Sequence, residues 1–216
     1  MAILKPFKQL SSGAWQINTK RRWNGFYIDP PYQFKNIKTG GGMKSGSSQK
    51  YITMPLKEIC SLPISQVSEP NAILFCWVPS PLSDTYGHEI FEAWDFKFKG
   101  KLYWIKDKVD DSPQFNLNPK VKISTITKDG GWGYHFRGKV EELWFGFKGK
   151  IPMFANPLSN VIYHPRIGHS IKPDVFRIIV EDQFSKSFGK KRKMIEGFAR
   201  RAPHLSRWSY FGDELR

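Results

Sequence analysis

Acidic side chains are scarce in this chain: 19 Asp and Glu stand against 34 Lys and Arg in 216 residues, leaving a net charge of +15 and a pI near 9.8. A surface so short of negative charge attracts polyanions, nucleic acid foremost. Cysteine is nearly absent as well. Cys60 and Cys76 lie far apart and form no C-x-x-C, so neither a disulfide framework nor a zinc site is indicated, and both read as reduced core residues. His88, His135, His164, His169 and His204 lack the spacing of metal ligands, and "HEIFE" is not H-E-x-x-H. No structural metal is expected. The sequence also lacks any uncharged run approaching the roughly 18 residues of a membrane span, and its N-terminus has no signal-peptide core. The expected setting is therefore cytoplasmic, with no membrane partner.

The positive charge is unevenly placed. Up to Asn24 the chain carries Lys5, Lys8, Lys20, Arg21 and Arg22 with no acid, forming a basic N-terminal segment over 1–24. Lys35 follows, and then Lys38, Lys44 and Lys50 in the Gly/Ser-rich stretch "KTGGGMKSGSSQK", which has too few apolar side chains to pack; the segment reads as a mobile loop over 35–50. A third cluster runs from Lys186 through Lys190, Lys191, Arg192 and Lys193 to Arg200, Arg201 and Arg207.

Hydrophobic residues make up 40% of the chain and aromatics 15%, enough for one real core, and no linker divides it. A single domain over 1–216 is expected. Short apolar runs read as strands at "GFYI", "AILFCWV", "KLYWIK", "ELWFGFK", "NVIYHP", "RKMIEGFA" and "RWSYFGDE". Helical spacing appears in "PLKEICSL", from Pro81 to about Trp94, and in "KPDVFRIIVEDQF", where Pro173 suits the first turn. This alternation predicts an α/β fold, an open and mostly parallel sheet with helices on both faces. Ligands of such sheets bind beyond the carboxyl ends of the strands, where Asp29 falls.

The stretch "FYIDPPYQF" concentrates chemistry at that edge. An ionised Asp29 only accepts hydrogen bonds. Pro30 and Pro31 fix their φ angles and remove two donors, leaving carbonyls as a stiff acceptor array, and Tyr32 supplies a flat ring. The guest this suits is a planar group bearing an amine, the exocyclic amine of adenine or cytosine.

"DPPY" resembles the catalytic motif of the S-adenosylmethionine-dependent amino-methyltransferases. The ordered set "YITMPLKEICSLP", "ILFCWVPSP", "LYWIKDK", "GWGYHFRGKVEELWFGFKG", "VIYHPRIGHSIKPDVF" and "IEGFARRAPHLSRWSYFGDEL" is similar to one permuted branch of them. That branch holds the catalytic subunit of the eukaryotic mRNA adenosine methyltransferase with its bacterial and phage relatives. The resemblance runs from about Trp23 to Leu215. It implies a Rossmann-like class I methyltransferase fold with circularly permuted motif order, so the catalytic Asp comes first and the cofactor half last.

The resemblance further implies S-adenosylmethionine as cofactor and methylation of the N6 amine of adenine, with DNA favoured and RNA as the alternative. Asp29, Pro30, Pro31 and Tyr32 become the catalytic group, Tyr32 stacking on the base. Asp29, Lys172, Arg200, Asp213 and Glu214 become cofactor contacts. Tyr51, Glu141, Arg166, His169, Ser170 and Lys172 become substrate-pocket residues. Two positions depart from the family pattern: Tyr32 replaces its usual Trp, and Asp213 replaces an Asn, removing a donor. With no separate recognition module in view, short or relaxed sequence specificity is expected. The expected form is a monomer or homodimer in a bacterial or phage-infected cytoplasm. A second alternative is a non-catalytic nucleic-acid-binding subunit, from which an intact "DPPY" argues away.

Overall fold

The computed structural model describes residues 2–33, 53–106, 138–154, 157–168, 171–199 and 208–212. Its centre is β4 (Trp23–Ile28), whose six residues are all buried, beside β5 (Ser68–Val78), buried without a break from Ala72 onward. Strands covered on both faces have to be apolar throughout, and these are. Alternation divides their side chains between two cores. Phe26, Ile28, Leu74, Cys76 and Val78 pack with Ile59 of α1 (Leu56–Cys60) and with Ile90 and Phe91 of α2 (His88–Ala93). Tyr27, Ile73, Phe75 and Trp77 pack on the other side with Phe176, Val180 and Phe184 of α3 (Asp174–Phe188). Helices thus cover both faces.

Among the described residues, eight strands form the sheet. Besides β4 and β5 they are β1 (Ala2–Ile3), β6 (Lys97–Ile105), β7 (Val140–Lys148), β8 (Val161–Tyr163), β9 (Met194–Gly197) and β10 (Trp208–Phe211), in the order β1-β10-β9-β4-β5-β7-β6-β8. Only β7 runs against its neighbours. The chain advances outward from β4 to β5 on one side and from β9 to β10 on the other, so strand order reverses between β9 and β4. That reversal is the topological switch point at which open α/β sheets bind ligands. Strand β1 lies parallel to β10, where a strand following β10 would sit, as a permuted chain requires.

Several details differ from the sequence reading. Strand β1 and the hairpin of β2 (Phe7–Gln9) with β3 (Trp15–Ile17) were not expected. All three are two or three residues long and too short to show a period. The helix expected after Pro81 is broken into a 3₁₀ turn at Ser80–Leu82, a π turn at Ser83–Gly87 and α2. A Cβ on Gly87 would lie 2.5 Å from the Trp144 ring, so this segment is shaped by close approach to the sheet. Pro173 stands at the N-cap instead of within the first turn, which leaves Lys172 just outside α3. Among the described residues no helix is long and apolar enough to cross a membrane.

Candidate active site

The carboxyl ends of β4, β5, β6 and β8 meet the start of antiparallel β7 at one edge of the sheet. Asp29 follows β4 directly, and its N–H donates to the Gly197 carbonyl at the end of β9 (3.3 Å), fixing it at the switch point. The carboxylate faces Lys172, whose Nζ lies 3.1 Å from Oδ1 and 3.0 Å from Oδ2. The same ammonium is 3.3 Å from Glu141 Oε2, and Glu141 Oε1 is 2.6 Å from Lys106 Nζ. Lys106, Glu141, Lys172 and Asp29 therefore form a row of alternating charge across the mouths of β6, β7 and β4.

Burial sets the electrostatics of this row. Desolvation works against the Lys172 ammonium, but Asp29 and Glu141 outweigh it and hold its pKa above the ordinary lysine value. For Glu141, burial pushes upward, yet Lys172 and Lys106 prevail and hold the carboxyl below its usual range. Asp29 keeps 26% of its side chain open, so the row ends on an accessible carboxylate. Behind it, the Trp77 ring lies 5.2 Å from Lys172 Nζ, and the Trp77 indole donates to Tyr27 Oη at 2.8 Å.

The "DPPY" turn is more internally bonded than its sequence suggests. The Pro30 carbonyl accepts from Tyr32 N–H (2.9 Å) and the Pro31 carbonyl from Met54 N–H (2.7 Å). Each carbonyl keeps its second lone pair. Tyr32 corrects an expectation. It does not present a free flat face: it is 4% exposed, packed in the core, and its hydroxyl donates to the Trp77 carbonyl at 2.8 Å. Ending a buried strand on Pro-Pro turns the next aromatic inward, where its ring gains burial and its hydroxyl finds a carbonyl.

Of the residues proposed from sequence, the structure brings Asp29, Glu141 and Lys172 together, with Pro30, Pro31 and Tyr32 shaping the turn. Arg166 is exposed in the loop after β8, with Nε donating to the Gly168 carbonyl (3.3 Å). Tyr51, His169, Ser170, Arg200, Asp213 and Glu214, like the 35–50 loop, lie outside the described residues.

Sequence reasoning missed Lys106, although it lies inside the "LYWIKDK" motif. It also missed a buried ion pair beside the switch point: the Arg177 guanidinium donates to both carboxylate oxygens of Glu196 and, through Nη1, to Asp174 Oδ1. The Asp174/Arg177 spacing of three on one helix was a readable signal. Phe198 was not readable. It follows β9 with φ +57°, a left-handed conformation that is strained for a bulky residue and is typical of sites where the backbone is held for function.

A family model, MT-A70, matches residues 26–214. The chain belongs to the MT-A70 family. Members of MT-A70 are S-adenosylmethionine-dependent methyltransferases. The chain is similar to the human protein "N(6)-adenine-specific methyltransferase METTL4", 24% identical over 42% of this chain and 18% of that protein. It is also similar to the "Type II methyltransferase M.MunI" of Mycoplasma sp, 26% identical over 91% of this chain and 79% of that protein. The chain thus spans under a fifth of METTL4 and about four fifths of M.MunI.

The residues present suit an MT-A70 cofactor. S-adenosylmethionine carries a cationic sulfonium, a carboxylate and an ammonium close together, so its site must offer both signs side by side. Asp29 and Lys172 do so at the switch point, next to the strained turn at Phe198.

Proposed function

We propose that this protein transfers a methyl group from S-adenosylmethionine to the N6 amine of adenine in DNA. The observation that carries the reading is an accessible carboxylate, Asp29, fixed at the switch point by Gly197 and backed by the Lys172–Glu141–Lys106 row. A similarity to a type II methyltransferase over most of both chains supports DNA as the substrate.

When bound, S-adenosylmethionine supplies a methyl made electrophilic by its sulfonium. The chain supplies position. Lys172 pins both Asp29 oxygens, and an ionised carboxylate has lone pairs to spare for an N–H of the base. The second lone pair of the Pro30 carbonyl takes the other N–H. Two acceptors on the amine favour pyramidalisation and expose its lone pair, so binding geometry supplies most of the acceleration. Tyr32 acts beneath this surface, bracing the turn through Trp77. Transfer is direct: burial pushes the Cys60 thiol up to about 11 and the Cys76 thiol higher still, so neither is a thiolate nucleophile. A duplex substrate must release the adenine from its stack, at about a few kcal/mol. The reading places the protein in the cytoplasm.

Incubation with labelled cofactor and DNA or RNA oligonucleotides, digested to nucleosides, tests this. N6-methyladenine is expected from DNA. Asp29→Ala is expected to lower kcat by at least roughly 100-fold while the variant still binds cofactor by calorimetry. Wild-type turnover in Asp29→Ala, or transfer to RNA alone, overturns the proposal.

A further inference from the structure

Opposite the catalytic edge lies the amino edge of the same sheet, and the fold gathers parts of two of the three basic clusters there. Segment 17–22 runs into β4, segment 189–193 runs into β9, and these strands are neighbours. Asn24 stitches the two segments together: its amide donates to the Lys191 carbonyl (3.2 Å) and its Oδ1 accepts from Lys193 N–H (2.7 Å). On the β5 side, Ile17, Thr19, Lys20, Arg21, Arg22, Gln66 and Val67 line an open groove of about 460 Å³.

Charge here is only partly compensated. Glu69 is paired with Lys193, Glu181 with Arg192 and Asp95 with Lys148. Lys20, Arg22 and Lys191 are exposed, and their side chains have no ion pair among the described residues. Arg21 stacks over the buried Trp23 ring at 5.7 Å, which holds its guanidinium at the groove without neutralising it.

We infer that this amino edge is a second nucleic-acid contact, binding the phosphate backbone of a segment other than the one that delivers adenine to Asp29. The inference rests on the proposed nucleic-acid substrate. The groove is open and lined by cations, two neutral hydrogen-bonding side chains and an apolar floor. That composition suits sequence-independent phosphate and sugar contacts better than an enclosed small ligand. The rise of β4 puts Arg22 roughly 20 Å from Asp29, with the sheet between them. A straight duplex of roughly 12 base pairs, about 40 Å long, that lies across the carboxyl edge runs crosswise to the strands and does not turn back to the amino edge. A longer one reaches back by bending, or a second segment lands, and either raises the local concentration of substrate at the catalytic edge.

The test compares the wild-type chain with the triple variant Lys20→Ala, Arg22→Ala, Lys191→Ala on duplexes of roughly 12 and roughly 60 base pairs, by fluorescence anisotropy across a salt series. For the long duplex, the slope of log K against log[salt] is expected to fall by roughly 2 to 3, about 0.9 for each phosphate no longer neutralised, and affinity to fall about tenfold or more. Methylation of the short duplex is expected to stay within about twofold, because the catalytic footprint is untouched. A charge-preserving variant, Lys20→Arg, Arg22→Lys, Lys191→Arg, is expected to keep the wild-type slope, which separates charge from folding.

An unchanged slope in the triple variant overturns the inference, as does an equal loss of methylation on both duplexes. Preferential binding of phosphatidylserine vesicles over DNA would assign the surface to membranes and overturn it too. Binding is read without methyl transfer. A chain that shows the slope change yet methylates nothing refutes the proposed activity alone; one that methylates with an unaltered slope refutes the second contact alone.

Discussion

Lys172→Met is the most informative single change. It keeps most of the side-chain volume and removes the ammonium that separates Asp29 from Glu141. In the wild type that ammonium lies 3.0 Å from one carboxylate and 3.3 Å from the other, with side-chain exposures of 11% for Lys172, 26% for Asp29 and 24% for Glu141. Breaking a fully buried pair from one side costs about 3–5 kcal/mol. Partial exposure lowers the figure here, and Glu141 keeps Lys106, so about 1–3 kcal/mol is expected. For a chain of this length that is a fall in Tm of roughly 3–10 °C.

The pH dependence has a definite sign. Glu141 is held below its ordinary pKa, so its contribution is present above the unfolded value near about 4.3 and is lost as pH falls through the folded value. Lys172 is held above its ordinary pKa, so its contribution is present below about 10.4 and is lost only as pH rises through the folded value. The stability gap between wild type and Lys172→Met should thus be full at neutral pH and close below about pH 4. Urea unfolding at stepped pH reads it. A gap that is absent at pH 7, or that persists unchanged in acid, would show that the row of charges does not hold the site together.

Arg177→Met leaves Glu196 buried and unpaired beside the switch point, and is expected to cost about 3–5 kcal/mol; adding Glu196→Leu should recover most of it, as thermal unfolding of both variants would show. Gly197→Ala places a Cβ 2.5 Å from the Phe211 ring and 2.7 Å from Ile28, so a loss of about 1–3 kcal/mol is expected, with cofactor affinity by calorimetry falling as β9 and β4 are forced apart. Tyr32→Phe removes only the hydrogen bond to the Trp77 carbonyl: about 1 kcal/mol in stability, read by denaturant midpoint, with little change in KM if the ring serves packing and not base stacking.

Sheet and helices were legible in the sequence where burial imposes a pattern. The run from Ala72 to Val78 reads as a strand because both its faces are covered, and α3 reads as a helix because Phe176, Val180 and Phe184 recur at helical spacing. Asp29 was legible because a strand end followed by two prolines leaves few alternatives. The direction of Tyr32 was not. Sequence records that a ring follows Pro31, but whether it faces solvent depends on the Trp77 carbonyl, forty-five residues away. The pairing of Lys106 with Glu141 escaped for a related reason: it is set by the antiparallel register of β6 and β7, with Ile105 opposite Val140 and Trp104 opposite Glu141, and no local pattern reveals a register between strands this far apart.

Permutation shows which features of such a site are negotiable. Cutting the chain elsewhere changes which strand comes first, yet Asp29 still ends β4 and Gly197 still ends β9, side by side, because strand order in space is unchanged. What must survive is the reversal between those two strands: it opens the crevice at the carboxyl edge and directs Asp29 toward it. The ion row then holds the carboxylate in place, whichever strand comes first in the chain. Parallel β10 and β1 need a crossover of about a dozen residues or more between them. A chain cut in the loop between β7 and β8, with the two ends of this sequence joined by such a linker, should therefore unfold as cooperatively as the wild type by circular dichroism, since every described strand pairing of the sheet is preserved.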